Sequence, residues 1–546
     1  MKRKYLATVC AATFGVAAIT FGGGAFAQSS NDMKAQIEAL QQQLQMLKDR
    51  LDKQEAQQAQ QAQQAAQAPA RGPAAAASGG TGRAFLERKE GEGVTFFTRG
   101  GEVSIYGNLD LSLDSTTKGI SGMTAPQPGF AVPGDGVLTP FGNGGWMSAI
   151  SSNISYVGVR GFQTLGNLPM DFVYQLETQI DVSATSGTGF TNSNQSNQVK
   201  GGLTSRNSFI GLASPTWGAV KIGKTDAPYK TSTARMNPFV GMLGDYSVIM
   251  GNTGGDNRVE FGTRLDHTLW YESPKWNGIN FNALVSPGQN RGLDSSNVAA
   301  GESDCAGGNV PGSGALPGAC NDGSYGTAYS GSLSYTNGPL YITGAYELHR
   351  LVNRTSDLGA GPGTFDPRDI ADEDAKKIGL QYSFPTKTTV SFIWEDMKRK
   401  IDPALALQNE RSRSGYWLAV SQAITSKDSL HFGWAHANNT PGDPGQHNTI
   451  PLVGLGTPNP DNAANMYTLA WKHQLDKNMS IYANWAETIN HALAHYDLGA
   501  GGRGVTTDCH DASTTDTSGT DPAAGAPRCW AGGRLKGVSL GMKYVF

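Results

Sequence analysis

The sequence predicts an all-β protein, a 16-stranded antiparallel transmembrane β-barrel preceded by a short α-helical coiled-coil segment. Three observations lead there. First, apolar and polar residues alternate in runs of roughly ten. Val103, Ile105, Leu109, Leu111 and Leu113 interleave with Ser104, Tyr106, Asn108, Asp110, Ser112 and Asp114. Such a strand has one apolar and one polar face. Second, short turns such as Asn337-Gly338 and Asp476-Lys477-Asn478 interleave with long loops. A membrane barrel has that alternation because its periplasmic turns are short and its external loops long. Third, the 546 residues include 71 Gly but only 16% charged residues, with a net charge of −3. That balance offers no general attraction to nucleic acid, and after residue 27 no segment supplies the ~18 apolar residues of a membrane helix.

The N-terminus comes first in order. Lys2, Arg3 and Lys4 precede an apolar core from Leu6 to Phe21, and Ala25-Phe26-Ala27 forms an A-x-A cleavage pattern. Residues 1–27 are therefore expected to be a secretory signal peptide. Cys10 leaves with it. Cys305 with Cys320 and Cys509 with Cys529 each share one Gly/Ser/Asp-rich stretch. Proximity favours two local disulfides in an oxidising compartment, although four cysteines allow three connectivities.

Within residues 28–55, Met33, Ile37, Leu40, Leu44, Leu47 and Leu51 follow steps of four and three. This narrow a/d seam needs identical partners, so a coiled coil is expected, with Ile37, Leu40, Leu44, Leu47 and Leu51 as subunit contacts. Residues 56–100 read as a Gln/Ala/Pro/Gly-rich linker with little to bury.

From residue 101 to Phe546 the period is two. Strands are expected near 102–114, 148–162, 170–183, 204–213, 218–226, 258–273, 278–287 and 326–336, then 339–350, 374–384, 387–398, 413–424, 428–438, 463–474, 478–489 and 534–546. The barrel must close, because an open sheet edge cannot be satisfied in hydrocarbon.

Several motifs now carry a family resemblance. The last strand places Val538, Leu540, Met542, Tyr544 and the terminal Phe546 on one face. Ser155-Tyr156-Val157-Gly158-Val159-Arg160-Gly161, Gln175-Leu176-Glu177, Arg206 to Gly211, Ile222-Gly223-Lys224 and Tyr271-Glu272-Ser273-Pro274 occur in order. Together they resemble the Gram-negative general (trimeric) outer-membrane porins over about residues 101–546. The resemblance implies a homotrimer in the outer membrane, in contact with lipid and lipopolysaccharide, with Phe546 read by the barrel-assembly machinery. It also implies a water-filled channel for passive diffusion of ions and small hydrophilic solutes, and a third external loop, about 227–256, folded into the pore. The chain departs from the pattern at Tyr156, where the family often has Arg, and at Gln163 and Thr164, where it has acids. The third loop lacks the family's acidic segment and offers Arg235, Met236, Phe239, Met242, Leu243, Asp245, Tyr246, Ile249 and Met250.

Channel selectivity needs charge inside a narrow wet stretch. Strand parity points Tyr156, Arg160, Gln175, Glu177, Arg264 and Asp266 inward, while Arg206 joins them through the resemblance. Arg235, Asp245 and Tyr246 complete the expected constriction. Lys224 falls on the outward face, where a cation belongs at the rim or against another subunit. The apolar third loop beside Arg206 and Arg264 raises an alternative, a channel preferring small anionic or aromatic carboxylates. Another is a cell-wall tether, with the barrel as anchor and the coiled coil reaching peptidoglycan.

Enzymatic readings find no support. Gly537-Val538-Ser539-Leu540-Gly541 spells G-x-S-x-G within a strand, with no helix following. His491 and His495 lack the Glu of a zincin, and His431 and His436 have opposite parity. The protein is expected to be no enzyme, and to need no metal and no cofactor.

Overall fold

A computed structural model describes residues 81–87, 89–91, 93–117, 124–125, 139–140, 146–180, 182, 206–251, 261–289, 325–353, 370–403, 412–440, 461–491, 494, 496, 498 and 534–546. The chain divides after Gly79, and all of these residues belong to the unit Gly80–Phe546. The expected signal peptide, coiled coil and four paired cysteines lie outside the described residues.

One antiparallel sheet of eighteen segments forms the wall. It comprises β1 (Val94–Thr98), β2 (Gly101–Thr116), β3 (Met147–Ser152), β4 (Tyr156–Thr164), β5 (Asp171–Gln179) and β6 (Ser208–Ser214). It continues with β7 (Gly218–Asp226), β8 (Arg264–Glu272), β9 (Ile279–Gln289), β10 (Tyr325–Asn337), β11 (Leu340–Asn353) and β12 (Ile370–Ser383). The remainder are β13 (Thr388–Arg399), β14 (Arg413–Ala423), β15 (Asp428–Ala437), β16 (Ala464–Gln474), β17 (Met479–Asn490) and β18 (Arg534–Val545). β3 and β4 share one edge of β2 as a single interrupted strand, and β1 and β18 share its other edge, so the eighteen segments fill sixteen strand positions. It closes where β2 pairs with β18, from Asn108↔Val545 to Thr116↔Gly537.

Alternation decides which face is which. Ile105, Leu113, Leu176, Ile210, Leu269, Ile378, Leu430 and Leu540 stand exposed on the outer surface. Tyr106, Asn108, Asp110, Ser112 and Asp114 are buried toward the inside. An apolar exterior over a polar interior is the pattern lipid demands.

Two sequence expectations change. The linker does not run to residue 100: Val94–Thr98 pairs with Gly101–Ile105 as β1 against β2, and Phe85 is buried. A short helix, α1 (Thr81–Ala84), opens this ordered stretch. In β8, parity predicts Leu265 outward and Asp266 inward, and the reverse occurs. The register with β7 slips between Leu265 and Thr268, and His267 adopts φ 52°. This bulge inserts a residue and exchanges the faces of Leu265 and Asp266, while Arg264, at the strand's end, still reaches Asn207 and Asp226. Leu265 is therefore buried with Phe209, Trp270 and Leu284, while Asp266 pairs with Lys224 at 2.8 Å.

Candidate pore constriction

The third external loop folds against the inner wall. It begins with α2 (Pro228–Thr233) and tight turns at Ala234–Met236 and Tyr246–Val248. Chain held inside a barrel must have its backbone carbonyls satisfied, and wall side chains supply the donors one after another. Tyr341 donates to the carbonyl of Ser232 (2.7 Å), Trp417 to Met236 (3.1 Å) and Lys472 to Pro238 (2.5 Å). Asn484 donates to the carbonyl of Leu243 (2.9 Å) and Thr468 to that of Gly244 (2.9 Å). Both ends of the loop converge on Glu395 of β13. Its carboxylate accepts from Tyr229 Oη at 2.8 Å and from the Gly251 amide at 2.7 Å.

The loop's apolar residues face this wall. Met236, Phe239, Met242, Ile249 and Met250 form one buried cluster with Trp417, Ala419, Ala435, Ala464, Met466 and Ala470. Small inward residues on β14, β15 and β16 make room for them. A Cβ on Gly433 would stand 2.4 Å from the Trp417 ring and 2.6 Å from Phe239.

Across the barrel, on β2 and β4 to β8, the inner surface is charged. Arg206 Nε donates to Glu177 Oε1 at 2.5 Å, and its guanidinium lies 4.8 Å over the Tyr156 ring. Tyr106 Oη donates to the other Glu177 oxygen at 2.9 Å. The Arg160 guanidinium lies 4.8 Å over the Tyr106 ring. Arg264 donates to Asn207 at 2.5 Å and pairs with Asp226 at 3.2 Å, and Lys230 also reaches Asp226 at 2.9 Å.

The structure thus gathers Tyr156, Arg160, Glu177, Arg206 and Arg264 on one wall. Asp266 is absent from that group, being turned outward by the bulge. Arg235 sits on the third loop, donating to Gln381 at 2.8 Å and stacking 4.4 Å over Tyr341. Asp245, expected at the constriction, is buried and accepts from the amides of Gly241 (2.9 Å) and Ser247 (3.0 Å). A carboxylate held this way shapes its own turn. Tyr246 shares a hydrogen bond with Thr233 at 3.1 Å and packs 5.2 Å from Trp417.

Sequence reasoning missed Glu87 and Lys89. They precede the barrel, yet Lys89 reaches Glu177 at 2.7 Å and Glu87 at 2.8 Å. Glu87 accepts from Asn207 at 2.6 Å and Gln175 at 2.9 Å. The signal was present as a change in composition. Between Gln57 and Gly82 the only charged residue is Arg71, and then Arg83, Glu87, Arg88, Lys89, Glu90 and Glu92 follow closely.

The remaining candidates are ordinary structural groups. Ser539 of the G-x-S-x-G match donates to Asp114 at 2.5 Å in the middle of β18. His431 sits beside Phe239 inside, while His436 stacks on Trp434 and Tyr416 outside.

The sequence pattern of the Gram-negative porins matches residues 65–492. An outer membrane porin protein of Bordetella pertussis is 25% identical over 238 residues, covering 43% of this chain and 52% of that protein. The chain thus spans about half the length of this curated relative. The anion-selective porin from Comamonas acidovorans shares the fold with a TM-score of 0.53 at 17% identity, over 82% of this chain and all of that one. OmpT of Vibrio cholerae aligns over 83% of this chain and all of that one, at 12% identity and a TM-score of 0.46. With its closed sixteen-position barrel, lipid-facing exterior and inserted third loop, the chain belongs to the Gram-negative porin family of the outer membrane.

Proposed function

We propose that the protein is an outer-membrane channel for passive diffusion of ions and small hydrophilic solutes. One observation carries this reading. A closed barrel brings charged residues from β4 to β8 onto one inner wall, facing an inserted loop across the interior. Fixed charges in such a confined polar path bias whatever ion or solute passes. Around Glu177 and Asp226, the cations Lys89, Arg160, Arg206, Arg264 and Lys230 meet Glu87, Glu177 and Asp226, while β2 and β5 carry Glu102, Asp110, Asp114 and Asp171 on the same inner surface. The local excess of cations in the cluster around Glu177 and Asp226 supports a preference for anions, in line with the anion selectivity named for the Comamonas protein. Planar-bilayer conductance and the reversal potential in asymmetric KCl test both parts. A membrane with the folded protein that carries no current refutes the channel, and a cation-selective reversal potential refutes the preference.

The third loop packs Met236, Phe239, Met242, Ile249 and Met250 on the wall, so the alternative, a channel preferring small anionic or aromatic carboxylates, rests on Arg206 and Arg264. Assembly completes the reading. The family resemblance supports a homotrimer among outer-membrane lipid and lipopolysaccharide, assembled through the strand ending in Phe546. The heptad seam at residues 28–55 would brace three subunits in the periplasm, as tethering raises effective concentration, and would reach toward peptidoglycan. Deleting residues 28–79 tests this: the pore should conduct while the trimer loses heat resistance or cell-wall association. The pairs Cys305–Cys320 and Cys509–Cys529 are proposed as loop disulfides, which mass spectrometry of the unreduced protein checks.

A further inference from the structure

We infer that Gly82–Glu90, the chain just before the barrel, is a strap laid inside the lumen, and that its Glu87 and Lys89 are selectivity-determining residues of the channel. The inference rests on the channel reading above.

The strap is built into the wall along its length. The Gly82 amide donates to Asp171 on β5 at 2.5 Å, and Arg83 pairs with Glu102 on β2. Phe85 is buried in the cluster that holds Phe162, Val173 and Phe209. Cations of the wall donate to the strap's carbonyls: Lys221 to Phe85 at 2.7 Å, and Arg160 to Glu87. Glu90 pairs with Lys543 on β18. The chain then leaves the interior and joins the sheet as β1.

Its charges meet the candidate constriction directly. Lys89 Nζ lies 5.3 Å over the Tyr156 ring and 5.8 Å over the Tyr106 ring, between Glu87 and Glu177. The aromatic faces and the carboxylate that receive Lys89 also receive Arg206 and Arg160. A segment that merely filled space would bury apolar groups. This one places a carboxylate and an ammonium among the wall's guanidinium groups, where each fixed charge acts on the passing ion. The strap also occupies lumen cross-section that the strands alone would leave to water.

Three variants of the full-length protein test the inference: Glu87→Gln, Lys89→Gln, and residues 83–90 replaced by Gly/Ser at equal length. Each is read by single-channel conductance and by reversal potential in asymmetric KCl, after mobility on unheated gels confirms a folded barrel. Glu87→Gln should shift the reversal potential toward anions and Lys89→Gln toward cations. The Gly/Ser strap should raise conductance. Parental values in all three overturn the inference. Hydrogen exchange supplies a readout independent of current. In the parent, amides of 82–87 and 89–90 should exchange more slowly than the rates intrinsic to unstructured peptide, and unprotected exchange would also overturn the strap. A parent that carries no current but shows this protection refutes the channel reading and leaves the docked strap standing.

Discussion

Arg206 and Glu177 form a 2.5 Å ion pair in which the carboxylate is fully buried and the guanidinium nearly so. The pair is not isolated, because Glu177 also accepts from Tyr106 and Lys89. One carboxylate on β5 therefore organises donors from β2, the strap and the approach to β6. Burying it alone would be expensive, and surrounding it with donors offsets that cost. The same arrangement gathers two cations, Arg206 and Lys89, on one carboxylate.

Removing a cation from this wall should shift selectivity toward cations. Arg206→Ala leaves Glu177 with Lys89 and Tyr106, and Arg264→Ala leaves Asp226 with Lys230. Reversal potentials in asymmetric KCl should move in the cation-selective direction for both. Glu177→Gln should move the opposite way. Unchanged potentials in both arginine variants would take those residues out of the constriction.

The third loop should loosen when its common anchor is weakened. Tyr229→Phe removes one hydrogen bond to the carboxylate of Glu395, a loss of about 2 kcal/mol for a bond to a charged group. Phe239→Ala empties a fully buried site against Trp417, at a cost of about 3 kcal/mol to the loop's docking. Both should increase open-channel current noise, with the larger effect for Phe239→Ala. Quiet, parental current in Phe239→Ala would show that the loop is held elsewhere.

The barrel itself was legible because lipid imposes a period of two on every strand. Val538, Leu540 and Met542 stand exposed on β18 as alternation requires. Parity failed where the backbone broke its own period. The bulge at His267 exchanged the faces of Leu265 and Asp266, and nothing in their local composition marks it. The strap was hidden for a different reason. Its partners, Asp171, Gln175, Asn207 and Lys543, are distant in sequence, and a charge run after a Gly/Pro tract reads equally well as solvated chain. The third loop's composition was visible, but its direction was not, since the small residues that receive it lie on other strands.

Closure of the barrel should depend on Gly107. Its amide donates to the Phe546 carbonyl at 2.9 Å, and the Phe546 amide donates back at 3.0 Å. A Cβ at Gly107 would stand 2.5 Å from the terminal ring. Gly107→Ala must therefore displace Phe546 or the strand, an overpacking cost of about 1–3 kcal/mol. The variant should unfold at lower temperature than the parent on heat-shift gels. A parental unfolding temperature would mean the ring swings aside freely.

Docking of the strap should respond to pH through Glu87 and Lys89. Burial pushes the Glu87 carboxyl up, but the Lys89 charge and hydrogen bonds from Lys89 and Gln175 outweigh it and hold it below its usual value, against the repulsion of Asp226. Burial likewise pulls Lys89 down, and Glu87 with Glu177 more than restores it, so its pKa is raised. The cationic neighbour on the wall, Arg160, faces Glu87 through its carbonyl. A lowered carboxyl pKa stabilises the docked form above the free value, about 4.3 for Glu, and that contribution is lost as pH falls through the depressed value. The raised ammonium pKa contributes below the free lysine value and is lost only as pH rises past the docked one. Docking is therefore strongest across the neutral range. Acidification to below about pH 4 should raise conductance as the strap releases, reversibly, and speed hydrogen exchange in residues 82–90. In Glu87→Gln the acid step in both readouts should shrink. An acid response of parental size in that variant would assign the step to another carboxylate of the lumen.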